Sequence, residues 1–239
     1  MNVTAHFRAR PVAGASLGIL VLDTRFPRLP GDIAHARTWP FPVQYKVVRG
    51  ASIEKVVHRG AEGLLPLFLD AARELVDMGV DGIATSCGFL SIFQKELAEQ
   101  CPVPVAASSL LQVPLVQRLL PSSRRVGVLT FAAERLSAAH LQASGAPPDT
   151  PLGDVPADSE FRRSLQEGRA ADPSVLRAEV IAAAQDLVQR HPDIGALVVE
   201  CTNMPAYSAD LREHLGMPVY DIVSLVEWFH AGLQPRRFG

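Results

Sequence analysis

A chain of 239 residues, 48% hydrophobic and 20% charged, is long enough for one large α/β domain or two half-sized ones, and its composition excludes a disordered or fibrous protein. With 23 Lys and Arg against 25 Asp and Glu, the net charge of −2 argues against nucleic acid as a partner. No apolar run reaches membrane-span length, the opening MNVTAHFRARPVAG has no signal-peptide core, and three widely spaced cysteines suit reduced thiols, so the expectation is a cytoplasmic protein with no membrane partner.

In chain order, continuous apolar runs of strand length stand at Gly18 to Leu22, Val80 to Thr85, Val103 to Ala106, Val126 to Thr130, Gly195 to Val199 and Val219 to Ile222, with a further strand candidate at Val43 to Val48. Such runs suit strands covered on both faces. Between them, Leu64, Leu67, Phe68, Ala71, Leu75 and Val76 recur at three- and four-residue steps, the signature of an amphipathic helix. The same spacing returns around Phe93 and Leu97, and again from Val175 to Val188. Strands alternating with helices predict parallel βαβ units. The segments 26–42 and 146–158 are Pro-rich and read as long loops that shape a site.

The chain also repeats itself. Val80 to Cys87 aligns with Ile194 to Cys201 at an offset of 114 residues, and the same offset carries Val103-Pro104-Val105 onto Met217-Pro218-Val219. Gly18 matches Gly127 at an offset of 109, so the expected architecture is two equivalent α/β halves. The first half is assigned to residues 1–117, completed by the C-terminal helix at 222–239, and the second to residues 118–221.

Ligands of open parallel sheets sit beyond the carboxyl ends of the strands, where helix N-termini also point. Cys87 and Cys201 each follow a buried strand and precede a helix, so the helix dipole is expected to lower their pKa and make them usable as bases. A lone buried cysteine is more often plain packing. Two at matching positions of a repeat are better explained by a cleft in which thiols face each other, which is what removing a proton from one face of a carbon and returning it to the other requires. Cys101 has no counterpart in the repeat and reads as structural. The seven histidines never fall at metal-ligand spacing and no GxGxxG follows a strand, so neither metal nor nucleotide cofactor is expected. Glu200 is balanced between tuning Cys201 and forming a structural ion pair, because strand alternation points neighbouring side chains apart. For Ser108 and Ser109, helix capping is the expected role.

The paired cysteines, the Cys201-Thr202-Asn203 run and the Asp23-Thr24 pair after the first strand resemble the cofactor-independent aspartate/glutamate racemase superfamily. The resemblance runs from Gly18 to Trp228. It implies two similar Rossmann-like halves with parallel sheets, related by a pseudo-twofold axis, and an active site between them. The group includes amino-acid racemases, hydantoin racemases, arylmalonate decarboxylases and maleate isomerases. By position, Cys87 and Cys201 become the acid/base thiols. Asp23, Thr24, Ser86, Gly88, Phe89, Thr202 and Asn203 become substrate-binding residues, with Thr202 on the carboxylate. Amino-acid racemases of the group commonly carry Asn-Thr after the first cysteine and often His after the second Cys-Thr. Here Gly88-Phe89 and Asn203 stand instead, which points away from free glutamate or aspartate and toward a bulkier or less polar substrate.

The expected activity is therefore racemisation or epimerisation at the carbon next to a carboxylate, without cofactor, with a homodimer implied by the resemblance. The alternatives are a maleate-isomerase-like or arylmalonate-decarboxylase-like reaction using a cysteine, and a non-catalytic small-molecule binding protein.

Overall fold

A computed structural model describes residues 10–238; residues 1–9, which include His6 and the start of the first half, and Gly239 lie outside the described residues. The first sheet is built from β1 (Leu17–Leu22), β2 (Val43–Val48), β3 (Gly82–Thr85) and β4 (Val105–Ala106), in the order β2-β1-β3-β4 and parallel throughout. The second is built from β5 (Arg125–Thr130), β6 (Leu152–Asp154), β7 (Ile194–Val199) and β8 (Val219–Tyr220), in the order β6-β5-β7-β8, again parallel. The two orders correspond strand for strand, so the chain is an α/β protein with two equivalent sheets, as the internal repeat predicts.

Burial follows from the sequence runs. All six residues of β1, LGILVL, are buried because α1 (Leu65–Met78) covers one face and the C-terminal helix the other. Helix α1 presents Phe68, Leu69, Ala71, Ala72 and Leu75 to the sheet, each large side chain contributing about 2 kcal/mol by leaving water. It stops at Gly79, whose φ of 103° belongs to the left-handed region that closes helices. Next come α2 (Gln94–Gln100) and α3 (Val113–Leu119); α3 hands the chain to the second half.

In the second half, α4 (Ala138–Ala143), α5 (Glu160–Glu167), α6 (Pro173–Arg190) and α7 (Ser208–Leu215) flank the sheet. Helix α8 (Ile222–Leu233) returns to the first sheet, where Ile222, Leu225 and Val226 pack with Leu17, Ile19, Val21, Ala84 and Ala106. Asp221 fixes its start by accepting from the Ser224 amide at 2.9 Å.

One sequence expectation fails here. The Pro-rich stretch 146–158 is not a long loop, because it contains β6, the edge strand that pairs with β5 from Val128↔Leu152 to Thr130↔Asp154. An edge position tolerates prolines on either side of a three-residue strand, which hid it. Its Asp154 also anchors α5. The Arg162 guanidinium donates to Asp154 at 2.5 Å, to Glu134 at 2.9 Å and to the Val155 carbonyl at 2.8 Å. That clamp holds α5 where Leu165 reaches the cleft described next.

Candidate active site

The carboxyl ends of β1, β3, β5 and β7 converge on one cavity. Leu22 and Thr24 enter from the end of β1, Ser86 to Phe89 from β3, Phe131 from β5 and Glu200 to Asn203 from β7. Phe26 and Arg28 close it from the loop after β1, and Ile53, Val57 and Leu165 complete an apolar wall. Both sheets thus supply equivalent walls. Cys87 and Cys201 stand two residues beyond the last residue of β3 and β7, and both line the cavity, so the repeat places two thiols around a single site.

Hydrogen bonds from side-chain hydroxyls to backbone carbonyls across the halves hold this arrangement. The Thr202 hydroxyl donates to the Ser86 carbonyl at 2.6 Å, and the Ser109 hydroxyl donates to the Val199 carbonyl at 2.7 Å. Ser108 caps the turn at Ser109–Gln112 by accepting from the Leu110 amide at 3.2 Å, the capping role expected of it, whereas Ser109 is a tie between the two halves. With its proton donated to the Ser86 carbonyl, buried Thr202 is a structural tie as well as a wall of the cavity. Ser86 is better placed to donate to a carboxylate. Its oxygen accepts from the Leu22 amide at 2.9 Å, and its own proton remains to donate.

Of the nine residues singled out from sequence, eight line the cavity and Asp23 does not. The backbone of Asp23 pairs with the Ala51 carbonyl, and its carboxylate accepts from the Gly50 amide at 3.1 Å and faces Arg49 at 3.5 Å. The chain turns as β1 ends, so residue 23 ties down the turn after β2 while residue 24 faces inward. Arg28, which sequence reasoning passed over, lies on the cavity side: it donates to Thr24 at 2.9 Å and to both carboxylate oxygens of Asp32, at 2.8 and 2.9 Å, and its guanidinium stacks over Phe26 at 4.4 Å. Asp32 in turn accepts from the Asn203 amide, which orients the residue next to Thr202. None of residues 146–158 lines the cavity; its second-half walls come from Phe131, Leu165 and residues 200–203 instead.

Glu200 lies inside the cleft and has no ion-pair partner among the described residues. Strand alternation does not apply to it, because β7 ends at Val199 and the next two side chains both turn into the cavity. One carboxylate oxygen accepts from the Thr130 hydroxyl at 2.5 Å; the other, Oε1, is buried without a partner. Burial pushes its pKa up to about 7, the Thr130 and Phe131 donors opposing.

The thiols are not lowered in pKa as the helix-dipole argument predicts. Burial pushes both up, the nearby Glu200 charge adds to the effect, and Cys87 further raises Cys201. The dipole contribution is present as backbone donors, Phe89 and Leu90 at Cys87 and Asn203 at Cys201, but it is outweighed. The helical turn beyond Cys201, Pro205–Tyr207, is only three residues long and gathers little dipole. A thiolate formed here is consequently a strong base, well matched to a weakly acidic carbon.

Gly88 makes the arrangement sterically feasible. A Cβ on it would collide with the Glu200 carboxyl group and with the Glu200 backbone oxygen. Rotating the side chain relieves only the first clash, so Gly88→Ala is expected to destabilise the protein by about 1–3 kcal/mol and to displace Glu200. Thermal unfolding of the variant checks the first effect, and its turnover checks the second.

The fold is one shared with solved racemases and with arylmalonate decarboxylase. A glycine-to-cysteine variant of arylmalonate decarboxylase in a sulfate-associated form superimposes with a TM-score of 0.62 at 19% identity, over 93% of this chain and 96% of that one. Allantoin racemase from Pseudomonas fluorescens gives 0.62 at 16% identity, over 91% and 90%, and a glutamate racemase from Bacillus anthracis gives 0.57 at 14%, over 92% and 83%. In sequence, the chain is 29% identical over 234 residues to a dimethylsulfoniopropionate lyase of Durusdinium sp. clade D, covering 94% of this chain and 77% of that protein. It is 29% identical over 243 residues to dimethylsulfoniopropionate lyase 6 of Emiliania huxleyi (strain CCMP1516), of whose length it spans 61%. No protein-family model matches the chain. Among the described residues, no helix is long and apolar enough to cross a membrane.

Proposed function

We propose that this protein is a cofactor-independent enzyme that uses a cysteine thiolate to remove the proton α to a carboxylate and expels a leaving group from the β-carbon, a lyase reaction. The observation that carries this reading is the presence of both Cys87 and Cys201 in one closed-in, largely apolar cavity beside hydroxyl and amide donors. The sequence relatives named as dimethylsulfoniopropionate lyases support elimination as the outcome of proton removal.

Cys87 is the assigned base. It is the less buried of the two residues and has two backbone donors for its thiolate, Phe89 and Leu90, where Cys201 has one. The thiolate sulfur takes the α-proton, and the C–H electron pair is held as the enediolate of the carboxylate before it becomes the new carbon–carbon double bond. The bond from the β-carbon to sulfonium sulfur breaks, its electrons staying on sulfur, so a neutral sulfide and an unsaturated acid leave. The proton on Cys87 then passes to solvent. While charge builds on the substrate carboxylate, Ser86 holds it through its remaining hydroxyl proton, and neutral Cys201 donates from the other side.

Racemisation is the second reading, favoured by the placement of the thiols at equivalent positions of the repeat: there Cys201 would return a proton to the opposite face. Incubation of the purified protein with dimethylsulfoniopropionate, followed by headspace chromatography of the sulfide and by proton resonance of the acid, tests the proposal. Sulfide and acrylate in equal amounts are expected. No sulfide, together with deuterium uptake and racemisation of a chiral carboxylate in heavy water, would replace elimination by the second reading.

A further inference from the structure

Glu200 is unexplained by proton transfer between thiols. The residue is 1% exposed, it lines the cavity, and its Oε1 has no hydrogen-bond partner. A buried carboxylate without a counter-charge is costly, and proteins keep one where a ligand supplies the missing charge. Among the described residues no protein cation does so: Arg28, the one cationic side chain of these that lines the cavity, is committed to Asp32 and Thr24. Gly88 holds its place against the carboxyl group, leaving room for it that any side chain would remove.

The walls around this carboxylate indicate what kind of cation fits. Phe26, Phe89 and Phe131 supply aromatic surface, and Leu22, Val57 and Leu165 supply aliphatic surface. A primary ammonium carries three N–H donors and needs three acceptors, whereas Glu200 offers one unpartnered oxygen. A cation whose charge is wrapped in methyl groups needs no acceptors. It is satisfied by a carboxylate at contact distance and by aromatic faces.

We propose that Glu200 recognises the methylated cationic end of an onium carboxylate, a sulfonium or quaternary ammonium separated from its carboxylate by a short chain, and so sets the substrate class of the cavity. This rests on the reading of the cavity as a small-carboxylate site. Glu200 acts here as a specificity residue, touching the substrate at the end remote from the proton that moves.

The test compares two ligands of equal shape that undergo no elimination, by titration calorimetry at pH 8: 3-(trimethylammonio)propionate and its neutral-ended isostere 4,4-dimethylpentanoate. The wild-type protein is expected to bind the cationic ligand at least about tenfold more tightly, and Glu200→Gln to bring the two affinities within about twofold of each other. Equal affinities in the wild-type protein would overturn the role of Glu200 while leaving the carboxylate site intact. Binding of neither ligand would overturn the carboxylate reading itself, and the inference with it. Because the first comparison uses only the wild-type protein, it stands even if the variant folds poorly. An unchanged preference in a folded Glu200→Gln variant would also overturn the assignment.

Discussion

Replacing Cys87 by Ala is expected to lower sulfide release by roughly 10² to 10⁴, the range of a positioned proton-transfer group, while leaving the fold intact. The side chain ends in the cavity, so its loss enlarges an existing space instead of opening a void in a packed core. Cys201→Ala gives the informative contrast. If Cys87 is the base and Cys201 a neutral donor, the second variant retains exchange of the α-proton with solvent but turns over more slowly. If the two thiols act as opposed bases in racemisation, each variant instead loses exchange from one enantiomer and keeps it from the other. Steady-state rates and deuterium uptake of both variants, measured against single enantiomers where the substrate is chiral, separate these outcomes. A Cys87→Ala variant with wild-type turnover contradicts the assignment.

The second large effect is on stability. Glu200 has an ordinary carboxylate pKa near 4.5 when the chain is unfolded and about 7 in the fold. A raised pKa means that the folded state holds the proton more tightly. Its contribution is therefore fully present below about pH 4.5 and is lost as pH rises through 7. The shift corresponds to a loss on the order of 3 kcal/mol at pH 8. Glu200→Gln keeps an acceptor for Thr130 and carries no charge to bury, so it is expected to be more stable than the wild-type protein at pH 8 by up to that amount. The advantage shrinks toward zero near pH 4.5. Urea unfolding across this range reads the difference directly, and parallel stability profiles for the two proteins would contradict it. A variant that gains stability while losing ligand preference is the behaviour of a residue retained for function.

The parts of this molecule that were legible from sequence are those where one physical requirement dominates. The β1 run LGILVL had to be covered on both faces, the α1 stripe from Leu64 to Val76 had to face a sheet, and the repeat that places Cys87 over Cys201 had to place the thiols equivalently. Rules carried past their range failed. Alternation was applied to Glu200 although β7 ends one residue earlier, and the chain's departure from the strand turns Glu200 and Cys201 into the same cavity. Adjacency put Asp23 beside Thr24 in the site, but the tight turn after β1 sends Asp23 to the Gly50 amide. The dipole argument assumed solvated thiols at the start of a real helix, whereas burial dominates both and the turn at Pro205–Tyr207 is short. Arg28 and Leu165 carry no local signal: one arrives through the fold of a loop pinned by Asp32, the other through an Arg162 clamp to an edge strand hidden among prolines.

The central claim is that the thiols of this cavity remove a proton from the carbon α to a carboxylate. Its most direct test uses 3-(trimethylammonio)propionate, whose poor leaving group stops the reaction after proton removal, incubated in heavy water and followed by proton resonance. The account predicts deuterium at the carbon next to the carboxylate and none at the carbon bearing nitrogen, with uptake abolished when Cys87 and Cys201 are both replaced by Ala. Uptake that persists in the doubly substituted protein, or a wild-type protein that binds the ligand without labelling it, would contradict the account.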